Sequence, residues 1–259
     1  MAEATEVLTP DSPEAAAAAF GEGGDVTIIG GGTIMVPLVT HGVVQPNKAL
    51  ILADAGLEGV DQSGTTVTIG AMTSVSALSE LDAPLGPCAA NLGDSEVRDQ
   101  ATVGGNLCAV APPEHPTGDL QGAFVALGAS VRSTGAGGER IEPVADFLAD
   151  RDNRLVLDVT YEQPQAGAFE SLDRPHTHHP TPLAVSGARL ADGSIQLAAT
   201  GAAPTAVRLP SAEAEASDPD AAGTAALGDV RLVDDAVSSA WYRERILPVL
   251  VRRVLEQLG

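Results

Sequence analysis

A chain of 259 residues, 44% of them hydrophobic, can bury a sizeable core, and with aromatics at only 3% that core must be mostly Ala, Val, Leu and Ile. The net charge of −21 excludes nucleic acid and anionic membrane surfaces as expected partners. Lys48 is the single lysine, so an anionic ligand would have to be held mainly by backbone N–H groups.

In chain order, Val7-Leu8 reads as a short strand, and Ser12 as the cap of an alanine-rich helix from Pro13 to Phe20. Val26–Ile29 reads as a buried strand. It runs into three glycines and an apolar helix, about Thr33 to Thr40, which Thr33 can cap. Ala49–Asp54 and Thr66–Gly70 are further strands, Thr73–Glu80 a helix, and Pro87–Leu92 a short helix. Arg98–Asp119 is the least regular part of this half. Leu120–Gly128 reads as a helix, Ser130–Ser133 and Arg154–Tyr161 as strands, and Gly135–Gly138 as a turn. Gln163–Gly167 suggests a boundary. After it, Leu183–Leu190 and Ser194–Ala199 flank an Ala-Asp-Gly hairpin signal, Ser211–Ala222 is an acidic helix or a mobile segment, and a helix closes the chain from Ser238 to Leu258. Its predicted apolar face is Ile246, Val249, Leu250, Val254 and Leu258, and Asp234-Asp235 precede it on the side that favours its dipole.

Two loops carry a chemical signal. In Ile29-Gly30-Gly31-Gly32-Thr33 a strand gives way to glycines and then a helix, a layout that lets backbone N–H groups face a diphosphate. Ala101-Thr102-Val103-Gly104-Gly105-Asn106 places two glycines between a hydroxyl and an amide, which is suited to a second anion nest. Either loop alone reads better as a plain tight turn; the two together suit a long dinucleotide. Other chemistry is poorly represented. No G-x-S-x-G elbow occurs, and no residue stands out as a general base, so no catalytic residue is assigned. His176, His178 and His179 read as part of a solvated proline-rich loop, and no metal site is expected. Cys88 and Cys108 lack a CxxC pattern; they are expected reduced and mainly packed, and cannot supply an iron–sulfur cluster within this chain. No apolar run approaches the ~18 residues of a membrane span, and the opening MAEATEVLTP lacks the features of a signal peptide, so a cytoplasmic location is the default expectation.

These motifs in this order resemble the FAD-binding subunit of the molybdopterin-dependent hydroxylases, the group that includes the carbon monoxide dehydrogenases and xanthine dehydrogenases. The resemblance is carried by Ile29–Thr33 with Pro37, by Ile69-Gly70-Ala71-Met72-Thr73, and by Val97-Arg98-Asp99-Gln100 leading into Ala101–Asn106. Asp119 with Ala126-Leu127-Gly128-Ala129 extends it, as do Phe169–Arg174, Ser239–Arg243 and Leu250–Arg253, so it spans nearly the whole chain. It implies an α+β fold: a two-subdomain FAD-binding domain of the vanillyl-alcohol-oxidase class over residues 1–164, divided near residue 57, and a small C-terminal α+β domain over 165–259. It implies non-covalent FAD, with Gly30, Gly31, Gly32, Thr33 and Ile34 at the diphosphate. Ala101, Thr102, Gly104, Gly105 and Asn106 would line the cofactor from the other side. Asp119 would bond the ribityl or flavin region, and Leu92 and Val156 would lie near the ring. It also implies partners, an iron–sulfur subunit and a molybdopterin-binding subunit, whose electrons the flavin would pass to an external acceptor; self-association stays open. The chain departs from the family at Gly30, Asp99, the lengthened Pro112–Asp119 stretch and Leu92. Glu170 stands where some members carry a lysine at the flavin, a change that would disfavour a reduced, anionic flavin. A stand-alone FAD oxidoreductase acting on a small molecule, and a relic without FAD, are the alternatives.

Overall fold

The computed structural model describes residues 5–109, 118–172 and 181–259. The chain begins as alternating strand and helix: β1 (Glu6–Leu8), α1 (Pro13–Phe20), β2 (Val26–Ile29), α2 (Met35–Thr40) and β3 (Lys48–Ile51). The strands form a parallel sheet in the order β1-β3-β2. Ser12 caps α1 as expected, its Oγ accepting from the Ala15 N–H. Thr33 does not cap α2: the cap position is Ile34, and no side chain bonds there.

Next come β4 (Val60–Ser63), β5 (Thr66–Gly70), α3 (Val75–Leu78), α4 (Leu85–Asn91), α5 (Ser95–Gln100), α6 (Val103–Cys108), α7 (Leu120–Ala126), β6 (Ser130–Gly135), β7 (Arg140–Pro143), α8 (Val144–Ala149) and β8 (Arg154–Glu162). The five strands make an antiparallel sheet, β4-β5-β8-β6-β7. The stretch expected to be irregular from Arg98 onward holds the end of α5 and all of α6. The reason is capping: Asp94 accepts from the Val97 N–H, and Thr102 from the Gly105 N–H, so two glycines that read as a loop are the first turn of a helix. The remainder of that stretch, residues 110–117, lies outside the described residues, as do His176, His178 and His179.

The chain ends with β9 (Ala166–Ser171), β10 (Ala184–Arg189), β11 (Ile195–Thr200), β12 (Val207–Arg208), α9 (Pro210–Ala214), α10 (Pro219–Ala225) and α11 (Ala240–Leu258). The strands form an antiparallel sheet in the order β12-β11-β10-β9, covered by the helices. The acidic stretch after Leu209 is two short helices, each opened by a proline in its first turn. The buried stripe of α11 is rotated from the predicted one. Leu247, Val251 and Leu255 are buried with Leu250, Val254 and Leu258, whereas Ile246 and Val249 are only partly covered.

Three apolar clusters follow the three sheets. Leu155 and Leu157 of β8 join the first, with Phe20, Leu50 and Met72, so the parallel sheet is fastened to the antiparallel one. Ala188 and Ala198 of the last sheet join the second, around Phe124 and Phe147. As composition demands, Phe124 and Phe147 are rare aromatics in an aliphatic core.

The closing helix is anchored through Arg243, which is only 3% exposed. Its guanidinium donates to the carbonyls of Pro182 (3.0 Å), Val233 (2.9 Å) and Ser238 (3.0 Å), and to Asp235 Oδ2 at 2.7 Å. Asp234 meanwhile accepts the Ala240 N–H. Burial opposes ionisation of Asp235, but the N–H groups of Ser238 and Val237 and the Arg243 guanidinium outweigh it and hold its carboxyl below the ordinary range. Two outcomes follow. Arg243→Met takes the guanidinium donor from the Pro182 and Val233 carbonyls and the cation from Asp235; it should cost on the order of 3 kcal/mol, read as a drop in Tm of roughly 10 °C. The stability from Asp235 is complete above the ordinary carboxylate pKa and lost as pH falls through the lower folded value. Below about pH 4, Tm should therefore fall more steeply in the parent than in Asp235→Asn.

Candidate functional site

The parallel pairing of β2 with β3 brings Ile29 opposite Ile51, so Gly30–Ile34 emerge at the carboxyl end of a parallel sheet, where open α/β sheets hold ligands. Here the loop meets the chain between α5 and α6. A Cβ on Gly31 would lie 1.6 Å from the Gln100 carbonyl oxygen, and one on Gly30 would lie 2.9 Å from Thr102 Oγ1. The two glycine loops thus touch backbone to backbone and share a seam, which only glycine permits. Among the described residues, no acceptor takes the N–H groups of Gly31, Gly32 or Thr33. Because α2 is six residues long and has no side-chain cap, anion-holding capacity here resides in these N–H groups and not in a long helix dipole.

The second loop behaves differently from a second nest. The Gly104 N–H donates to the Ala71 carbonyl at 2.8 Å, and the Gly105 N–H to Thr102 Oγ1 at 3.2 Å. Those donors are used internally, so what this loop offers a ligand is surface, the Thr102 hydroxyl and Asn106. Asn106 Oδ1 accepts from the Leu120 N–H at 2.9 Å, which leaves the donor side of its amide for the cleft.

Along the seam lies a cleft of about 610 Å³, within the usual range for small-molecule and cofactor sites. All thirteen residues expected to hold the cofactor line it: Gly30, Gly31, Gly32, Thr33, Ile34, Leu92, Ala101, Thr102, Gly104, Gly105, Asn106, Asp119 and Val156. Leu92 closes α4, where the Arg98 guanidinium pins its carbonyl at 2.9 Å. Val156 sits on β8 opposite a register shift between Arg132 and Ser133. Ile28, Leu52 and Met72 add apolar wall.

The sequence reading missed Arg151, Asp152, Asn153 and Arg154, which also line the cleft just before and at the start of β8. Alternation marked that strand but not what precedes it, a turn in which Asn153 takes a φ of 56°. Arg154 is 4% exposed and donates to Ser133 Oγ (3.1 Å), Ser133 O (2.8 Å) and Ala136 O (3.0 Å), all neutral acceptors. Burial, seconded by Arg140, pulls its pKa below the ordinary arginine value. Cys108 also lines the cleft, and burial pushes its thiol up to about 11 against the opposing pull of Arg151, so it is a thiol and not a nucleophilic thiolate at neutral pH. Cys88 is buried, with its pKa raised chiefly by desolvation, and donates to the Asp119 carbonyl. Among the described residues no group of His, Cys, Asp and Glu could hold a metal ion.

A long apolar cleft with unclaimed backbone donors at one end fits an extended dinucleotide such as FAD. Residues 3–160 match the model of the family described as the FAD binding domain in molybdopterin dehydrogenase. The chain belongs to this family. It is 27% identical to the 6-hydroxypseudooxynicotine dehydrogenase complex subunit alpha of Paenarthrobacter nicotinovorans, over 96% of this chain and 93% of that one. It is 28% identical to the carbon monoxide dehydrogenase medium chain of Afipia carboxidovorans, over 91% and 89%. A solved carbon monoxide dehydrogenase from Hydrogenophaga pseudoflava superposes with a TM-score of 0.85 at 25% identity, covering 100% of this chain and 98% of that one. The α+β fold is therefore the FAD-binding fold of that medium subunit. Quinoline 2-oxidoreductase from Pseudomonas putida shares the fold alone, with a TM-score of 0.83 at 18% identity and coverage of 99% and 97%.

Glu170, noted from the family resemblance, is not among the residues that line the cleft. It lies on β9 opposite Val185, where it accepts from Gln257 Nε2 at 2.7 Å and faces Arg253 at 3.6 Å, and so ties α11 to the last sheet.

The seam is testable. Gly31→Ala should abolish binding of a dinucleotide and lower Tm, because its Cβ would overlap Gln100, whereas Gly24→Ala, which meets nothing within 4 Å, should leave both unchanged. Thermal melts and ligand titration of the two variants check this.

Proposed function

We propose that the chain holds FAD non-covalently in this cleft and serves as the flavin subunit of a molybdenum hydroxylase, taking electrons from an iron–sulfur subunit and passing them to an external acceptor. The carrying observation is the convergence of all thirteen family-matched positions on one cleft. In this reading the Gly31, Gly32 and Thr33 N–H groups hold the diphosphate, which a chain with one lysine cannot do with ammonium groups. Thr102 and the Asn106 amide orient the cofactor beside the seam; Asp119 accepts from the ribityl or flavin region; Leu92 and Val156 exclude water from the ring. Arg151 and Arg154 offset the charge of Asp119 and Asp152, so the cleft is not as acidic as the chain around it. Bound FAD supplies the redox chemistry, storing and releasing electrons; the protein supplies binding, orientation and electrostatics. The names of the relatives, a dehydrogenase complex subunit and a medium chain, support a place in a multi-chain assembly, and the family description points to molybdopterin in it; in this reading the other chains are an iron–sulfur chain and a molybdopterin-binding chain. We further take residues 1–164 as the flavin-binding domain and 165–259 as the C-terminal one, with the site in the cytoplasm.

The purified chain should show flavin absorbance, and acid precipitation should release all of it into the supernatant as FAD, as non-covalent binding requires. Co-expression with its gene neighbours should yield a complex containing iron–sulfur and molybdopterin chains. A colourless chain that takes up no added FAD refutes the reading of the cleft; a yellow chain that never assembles, yet turns over a small molecule alone, refutes the subunit role.

A further inference from the structure

We propose that Gln121 is the positioning residue of the cleft, a buried carboxamide that fixes the exit of the second glycine helix and ties it to the C-terminal sheet. Its geometry is independent of the FAD reading; its expected effect on cofactor affinity rests on that reading. Gln121 lies on α7 and is fully buried. Its Nε2 donates to the carbonyls of Leu107 and Ala109, both at 2.8 Å, and its Oε1 accepts from the Ala206 N–H at 3.0 Å. Two carbonyls on one side and an N–H on the other fix the orientation of the amide. The bonds join three stretches of chain: the end of α6, the start of α7, and the run into β12. Asn106, Cys108, Ala109 and Asp119, which flank these bonds, all line the cleft.

The arrangement asks more than filling space. The carbonyls at the end of α6 have no partner further along the helix and need an outside donor. Methionine would match the volume but strand two carbonyls and an N–H in the interior. An ionised carboxylate could accept from Ala206 but donate to nothing. Only a carboxamide satisfies all three groups. Gln121 thereby ties the cleft wall at 107–109 to the stretch leading into β12, beside the Asn106–Leu120 bond.

The test compares the full-length parent with Gln121→Met, Gln121→Glu and, as a stability control far from the cleft, Asp235→Asn. Amide hydrogen exchange of the apo chain and FAD affinity by fluorescence titration are the readouts. Gln121→Met should speed exchange at 107–109 and Ala206, and weaken FAD binding, each by about tenfold; Asp235→Asn should lower Tm and move neither. The carboxyl in Gln121→Glu, raised by burial, should act as donor and acceptor at low pH and fail on ionising, so its FAD affinity should fall as pH rises, with the parent flat across the same range. The proposal is overturned if Gln121→Met leaves exchange at those amides and FAD affinity within about twofold of the parent. Should that variant not fold, a pH-independent affinity in Gln121→Glu overturns it equally. If exchange responds but the parent binds no FAD, Gln121 still positions the wall, and the reading that falls is the one for FAD.

Discussion

A single contact organises the flavin-binding part of this chain: the backbone of Gly31 against the carbonyl of Gln100, with no side chain between them. It brings together the end of a parallel β-α unit and the helical insert of an antiparallel sheet. The shared cluster of Phe20, Leu50, Met72, Leu155 and Leu157 holds the two sheets so that this contact can form. Once it forms, a cleft must run along it, because glycines on one side and small residues on the other cannot fill the space that the sheets leave.

The two loops then divide the work in a way their similar sequences hide. The first keeps its amides unclaimed and can neutralise an anion. The second consumes its amides in capping and in bonding Ala71, which makes it a rigid wall. Rigidity on one side and available dipoles on the other suit a ligand with a charged middle and an apolar end. A protein of net charge −21 with one lysine has little other means of holding such a molecule.

Much of this was legible in the sequence, and the limits have physical causes. α1, β5 and β8 were marked by caps or by alternation, which are local signals. Most cleft residues drawn from motifs lie at junctions between elements, Gly30–Ile34 after β2 and Ala101–Asn106 where α5 gives way to α6, and such junctions leave glycine, hydroxyl and amide signatures. The exposed strand β4, with sequence VDQS, carries no apolar alternation, and only its pairing with β5 makes it a strand. The partners of Glu170 were not legible, because family correspondence fixes a position along a strand but not what packs over it; α11 supplies Gln257 and Arg253 from the far end of the chain. Arg154 went unseen for a similar reason, since its partners Ser133 and Ala136 come from a hairpin that the sequence does not tie to it.

The burial of α7 has a wider consequence. All seven of its residues are inside the protein. A Cβ on Gly122 would stand 2.4 Å from Thr200 Oγ1 of the last sheet, and Ala188 and Ala198 share a core with Phe124. The family match stops at residue 160. A chain cut there would present one flank of α7 to water and leave Gln121 Oε1 without the Ala206 N–H. The stretch that sequence comparison marks off and the stretch that can keep water out are therefore of different lengths, and a minimal flavin module carved from this protein would need a substitute surface for β10 and β11.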